Sequence, residues 1–420
     1  MTNDLLDPSP AAANPAGPEK PGGPCILRKG DRLLLLGDSI TEARRYTRML
    51  ETYLTVCLPG LEVEVRNLGK GGETAAGFLG RIEAECLNHG PAAATVCYGM
   101  NDSGYVNDNR EAAAEYSAAI GAIVGKLKAA GARVVLGSPG CVGRLPPWPF
   151  VEELGCTLDG INRSLMYIRD EAAAVAGAEA LPFVDHFSGL YRARLLSAEK
   201  YGDGYAVCGA DDGVHPSWAG HVVMAYGFFQ ALGFDGDLGT FAIDLAGGWA
   251  KASPGHAFAG EKEGVYTFES ARYPFCAEGP VDRDWSIRSG MTLVPFNRDF
   301  NRMSLRVTGA AAPRYRVAWT DRWNALEEWH VYTAQELAAG VNLAEDFQLN
   351  PFSAPFRRID DLIMQKQAVE AEETWHVWER EGIPAAEGLA ACEERRDELR
   401  RAIGRAFVPV VHNIRLEPLA

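Results

Sequence analysis

The sequence lacks a net positive charge, a paired-cysteine pattern, a long apolar run and a secretory-type start. Asp and Glu outnumber Lys and Arg by 56 to 41, giving a formal net charge of −15. Such a field repels phosphate backbones and anionic membranes, so neither nucleic acid nor membrane is expected as a partner. The nine cysteines, Cys25, Cys57, Cys86, Cys97, Cys141, Cys156, Cys208, Cys276 and Cys392, include no C-x-x-C pair. They read as free thiols or small core residues rather than a disulfide frame or a zinc site, and no metal or cofactor is expected. Residues 1–24 hold Pro, Ala, Gly and acidic residues without a basic start and apolar stretch. The leucine run at 33–36 is far too short to cross a bilayer. The expectation is a cytoplasmic chain opening on a disordered segment, 1–24.

What is present is enough apolar material, 47% of 420 residues, for a sizeable core. The length exceeds what one core usually fills, so two or three domains are expected. Short apolar runs at 32–36, 61–66, 94–98, 133–137 and 181–184 alternate with longer helical stretches, the pattern of a parallel sheet covered by helices. Tyr116, Ile120, Ile123 and Leu127 recur at helical spacing over 110–130, which Gly131 stops, and a last helix over 218–232 ends at Gly233. This α/β domain is expected over 25–238.

Residues 239–420 form an accessory region of different character. Strands are expected at 265–268, 286–294, 303–307 and 315–319, within a β-rich part over 240–332. Thr333-Ala-Gln-Glu336 has the form of a capping box opening a short helix. Phe356, Ile359 and Ile363, then Leu389, Cys392, Leu399 and Ile403, give two helical faces separated by Gly382 and Pro384. They predict an antiparallel helical pair over 353–406, and a strand at 407–416 returns to the accessory sheet. The acidic run at 370–373 reads as a solvated helix face.

Four short blocks carry chemistry. Gly37-Asp38-Ser39 directly follows the first apolar run, where a small residue permits a sharp turn and leaves the hydroxyl at the sheet's carboxyl edge. Alone it suits a helix N-cap better than a nucleophile. Asn67-Leu-Gly69-Lys-Gly71-Gly72-Glu73 follows the second strand, and its glycines suit either a tight turn or a backbone N–H aimed into a cleft. Gly99-Met-Asn101-Asp102 follows the third, with an amide able to donate to a developing oxyanion or to cap a turn. Asp212-Gly-Val-His215-Pro216 puts a carboxylate three residues before an imidazole, the base and its orienting group that a serine hydroxyl needs to become a nucleophile.

The conjunction of all four, each at a strand end or on a loop nearby, resembles the SGNH (GDSL) hydrolases: G-D-S at 37–39, N-x-G-x-x-G at 67–72, G-x-N-D at 99–102 and D-x-x-H at 212–215. The resemblance covers about residues 30–235. It implies a flavodoxin-like three-layer α/β/α sandwich, with Ser39 as nucleophile, Asp212 and His215 completing the triad, and Ser39, Gly72 and Asn101 as the oxyanion hole. Ile40 stands where the motif's name has Leu, and Glu73 where Asp is common.

His221, six residues after His215, does not share its helical face and is set aside as a metal ligand. Asp185-His186 is a fallback acid-base pair, although neighbours on an extended chain point apart. Trp148, Trp249, Trp285, Trp319, Trp323 and Trp329 read as packing anchors before sugar platforms. The expected activity is removal of a short acyl group, acetyl above all, from a carbohydrate or small polar ester. A lipid esterase, an acyl-CoA thioesterase, and a non-catalytic binding or assembly protein on the same fold are the alternatives. The accessory region is open to three roles: active-site cap, glycan binder or homo-oligomer interface.

Overall fold

The computed structural model describes residues 24–209, 211–321, 328–380 and 382–419. Apart from Pro24, the segment expected to be disordered lies outside them. Five parallel strands, β1 (Arg32–Gly37), β2 (Glu64–Asn67), β3 (Ala93–Cys97), β4 (Arg133–Gly137) and β5 (Phe183–Val184), form one sheet in the order β2-β1-β3-β4-β5. This is the flavodoxin-like order, whose ligand crevice lies beyond the strands' carboxyl ends. β1 reads as unbroken leucine because both faces are covered: Leu33 and Leu35 enter one buried cluster, Leu34 and Leu36 the other. The second strand starts at Glu64 rather than 61, since Pro59 opens a 3₁₀ turn over Pro59–Leu61.

The accessory region holds two further sheets. One has the order β13-β10-β6-β7, from β6 (Asp237–Asp244), β7 (Trp249–Ala252), β10 (Arg302–Thr308) and β13 (Val341–Asn342). The other is antiparallel, β12-β11-β14-β9-β8, from β8 (His256–Lys262), β9 (Val265–Ser270), β11 (Arg314–Asp321), β12 (Trp329–Thr333) and β14 (Val410–Leu419). They face each other across Phe241, whose ring lies 4.8 Å from Phe268 and 5.1 Å from His412. The strand expected at 286–294 is instead the helix Ile287–Met291. It presses Gly290 so tightly against the Trp218–Leu232 helix that a Cβ there would fall 2.7 Å from Val222. Close helix packing, which only the small residue allows, has overridden the β-like composition. The capping box forms as written, with Thr333 and Glu336 bonding each other's backbone N–H.

The two parts share one continuous core running from Leu33 to Leu416. A π-helical turn, Tyr53–Cys57, follows the Tyr46–Thr52 helix, and its carbonyls serve the junction. Val56 O accepts from Tyr273 N–H at 2.9 Å, and Cys57 O from Arg272 Nε at 2.6 Å. The helices Ser353–Thr374 and Ala385–Ala406 then lie along β2, the edge strand.

That docking corrects the reading of 370–373 as a solvated face: Glu370 and Glu373 are buried. Glu370 Oε2 accepts from the Asn67 N–H at 3.0 Å and Glu373 accepts from Arg66 at 2.6 Å. Lys366 Nζ donates to Val65 O at 2.9 Å and pairs with Glu51 and Glu370 at 2.9 and 2.6 Å. An edge strand leaves backbone groups unpaired. Here side chains of the Ser353–Thr374 helix take the place of a sixth strand.

Candidate active site

β1 ends in Gly37, and the chain turns at once into the short helix Ser39–Glu42, with Asp38 as N-cap accepting from Ile40 N–H at 2.9 Å. A Cβ at Gly37 would lie 2.0 Å from Thr41 Oγ1 and 2.7 Å from Cys97 O, so glycine is required for the turn. Ser39 Oγ lies 2.7 Å from His215 Nε2, and the other ring nitrogen, Nδ1, is hydrogen-bonded to Asp212 Oδ2. A carboxylate only accepts, so Nδ1 carries the hydrogen and Nε2 is left to accept from the serine. Asp212 Oδ1 accepts from the N–H groups of Val214 and His215, both at 2.9 Å. Burial pushes its carboxyl up, but the His215 ring and these amides together hold it below the usual carboxylate range. Gly213, at φ +87°, lets the loop pass under Arg144, whose carbonyl oxygen a Cβ would approach to 2.6 Å.

Asn101 Nδ2 donates to Glu73 O at 3.0 Å, and its Oδ1 accepts from Tyr105 O–H at 2.8 Å. The amide is thus oriented with one N–H unengaged. Among the described residues the backbone N–H groups of Ser39 and Gly72 also meet no protein acceptor. Glu73 accepts a two-pronged bond from Arg81, both contacts 2.7 Å, and one from Tyr98 O–H at 2.9 Å. The longer residue that replaces the common Asp is therefore a buried strut for the loop. Burial raises the Asp38 carboxyl to about 7 and that of Asp102 to about 6.

A match to the GDSL-like lipase/acylhydrolase model extends over residues 35–223, from the middle of β1 past His215. The chain carries a domain of the GDSL-like lipase/acylhydrolase family. It is a carboxylic ester hydrolase of the SGNH type. Among curated relatives, an acetylxylan esterase of Geobacillus stearothermophilus is 24% identical over 230 residues, which cover 50% of this chain and 97% of that protein. A solved acetylxylan esterase from the same organism matches the same shares of the two chains at 24% identity, with a TM-score of 0.38. A solved gut microbial diltiazem-metabolizing enzyme is similar over 95% of this chain and all of its own, with 24% identity and a TM-score of 0.74. That likeness spans the accessory region, so the GDSL-type domain and its appendage recur together as one fold.

The GDSL-type domain brings Ser39, His215, Asp212, Gly72 and Asn101 to one rim of the sheet. The residues set aside earlier lie elsewhere. His186 is buried beside Phe228, with Asp185 capping its helix through Ser188 N–H at 2.9 Å. It borders a cavity of about 910 Å³ beside β5 whose lining includes neither Ser39 nor His215. His221 is buried and stacks on Tyr46, and no group of three or more metal-ligating side chains occurs among the described residues. Trp319 is buried, whereas Trp249 and Trp285 are 44% and 61% exposed; Trp323 lies outside the described residues. No helix of the described residues is long and apolar enough to cross a membrane. Sequence reasoning missed Tyr105, whose hydroxyl fixes the Asn101 amide. Tyr105 stands four residues after Asn101 and was findable as a neighbour of that block.

Proposed function

We propose that this hydrolase removes short acyl groups, acetyl foremost, from a carbohydrate or small polar ester, with Ser39 as nucleophile. In this reading His215 takes the serine proton as Oγ attacks the ester carbonyl and returns it to the leaving alcohol, while Asp212 holds the imidazole and stabilises its cation. Water then repeats the cycle on the acyl-enzyme. The observation that carries the reading is the set of three unengaged donors, Ser39 N–H, Gly72 N–H and one Asn101 N–H, beside a serine already bonded to a carboxylate-backed imidazole. Donors fixed before the reaction stabilise the oxyanion without reorganising, each by about 3 kcal/mol. Acetyl preference draws on the named activity of the acetylxylan esterase relative.

A second reading has an observation of its own. Trp148 packs edge-on against Tyr105 and stacks on Phe150 at 5.8 Å, and Phe150 is 39% exposed, as are Leu145 and Leu154 of the same segment at 42% and 61%. This apolar lip next to Asn101's partner suits a longer acyl chain or an aromatic leaving group. Hydrolysis of nitrophenyl acetate, butyrate and octanoate by wild type and Ser39→Ala separates the two. Acetate turning over fastest, and only with Ser39 intact, is expected. Octanoate turning over fastest would favour the lip, and turnover surviving Ser39→Ala would reject the nucleophile.

A further inference from the structure

The loop that carries Gly72 is held from outside the α/β domain. Its start is fixed by close approach: a Cβ on Gly69 would sit 2.4 Å from the Glu42 amide nitrogen, and Lys70 N–H donates to Gly37 O at 3.0 Å. Gly71 and Gly72 lack side chains, and Gly72 lies at φ +72°, where the backbone is least restrained by its own chemistry. Two bonds oppose that freedom: Glu73 N–H donates to Lys70 O at 3.2 Å across the turn, and Gly71 N–H donates to Glu42 Oε2. The other carboxylate oxygen, Oε1, accepts from Trp375 Nε1–H at 2.8 Å.

Trp375 is the residue that caps the Ser353–Thr374 helix. Its ring is the next neighbour a Gly71 Cβ would meet, at 3.4 Å, and Lys70 Nζ lies 5.4 Å from the ring centroid. The same helix also grips the loop's root, through Glu370 to Asn67 N–H and through Gln367 to Thr47, which in turn accepts from the Asn67 amide at 3.1 Å. Three residues of one accessory helix and its cap, Gln367, Glu370 and Trp375, thus reach one loop or its root.

We propose that Glu42 and Trp375 are positioning residues for the oxyanion hole: Trp375 holds the Glu42 carboxylate, Glu42 holds Gly71, and the next amide, Gly72, is thereby aimed at the tetrahedral oxygen. The inference rests on reading Gly72 as an oxyanion donor. It assigns the accessory helices a part in catalysis without contact to substrate. Donors matter most when charge has developed on the carbonyl oxygen, so their misplacement slows turnover while leaving ground-state binding nearly intact.

The test compares wild type, Trp375→Phe, Glu42→Gln and Glu42→Ala for kcat and KM on nitrophenyl acetate and for inhibition by a phenylboronic acid, which forms a tetrahedral adduct with an active serine. Trp375→Phe keeps the ring and removes only the donor; Glu42→Gln keeps one acceptor. Glu42→Ala is expected to lower kcat roughly 10- to 100-fold, the scale set by small misplacements of catalytic groups. KM should stay within about twofold, and boronate affinity should fall in parallel with kcat. Trp375→Phe and Glu42→Gln should fall between Glu42→Ala and wild type on both measures. Unchanged kcat and boronate affinity in Glu42→Ala would overturn the proposal, as would losses that track a lowered Tm with no difference between Gln and Ala. A wild type inert to both ester and boronate would instead sink the esterase reading, and the positioning role with it.

Discussion

At the scale of single residues, the site combines groups held in opposite protonation senses. Asp212 is kept ionised by donors on both oxygens, whereas Asp38 is buried under Ser39 with one donor, Ile40 N–H, and burial lifts its carboxyl from 3.8 to about 7. A raised carboxyl means that between about pH 4 and 7 the native state keeps a proton that the unfolded chain has released. The stability tied to that proton is present below the unfolded value and is lost as pH rises through the folded one. Asp102, raised to about 6, acts in the same direction. Asp38→Asn, which retains an acceptor for Ile40 N–H, should therefore gain Tm relative to wild type between pH 5 and pH 8. Thermal melts across that range check it, and a constant difference would show that Asp38 does not titrate there. The residues proposed as triad and oxyanion donors could be picked out of the sequence because each lies in a short block at a strand end or on a loop nearby. Glu42 and Trp375 could not, because a carboxylate on a helix and an indole beyond another helix meet only after the chain has folded.

At the scale of elements, the edge of the parallel sheet is the most demanding feature. Lys366 is buried among Glu51, Glu370 and the Val65 carbonyl, and burial also drives the Glu51 carboxyl to about 7 against the pull of that ammonium. Removing one member leaves uncompensated charge in the interior. Lys366→Ala should thus cost about 3–5 kcal/mol in urea unfolding, while Lys126→Ala, which breaks an exposed pair with Glu83, should stay within about 0.5 kcal/mol. Equal losses at the two positions would mean that the edge is not held by this cluster. β1, β3 and β4 were readable because burial on both faces leaves a nearly continuous apolar run, which β2, Glu64–Asn67, lacks. The acidic residues at 370–373 were misread for a related reason. A buried carboxylate and a solvated one look alike until its partner, here the β2 backbone and Arg66, is in place.

At the scale of the whole molecule, one face of the parallel sheet and the accessory region share an apolar core, joined at the π-helical turn and along β2. The helix at 287–291 shows why the accessory half was harder to read: its conformation is set by packing on the Trp218–Leu232 helix and not by its own residues. The hydrolase half announces itself through local motifs, while the other half is held together by contacts between distant segments. The proposed chemistry requires an activated Ser39. Labelling with a fluorophosphonate probe, followed by peptide mapping, tests that most directly. The account predicts one equivalent of label on Ser39, loss of acetate hydrolysis in step with labelling, and no reaction after His215→Ala. An unlabelled Ser39, or label on another serine with hydrolysis intact, would contradict it.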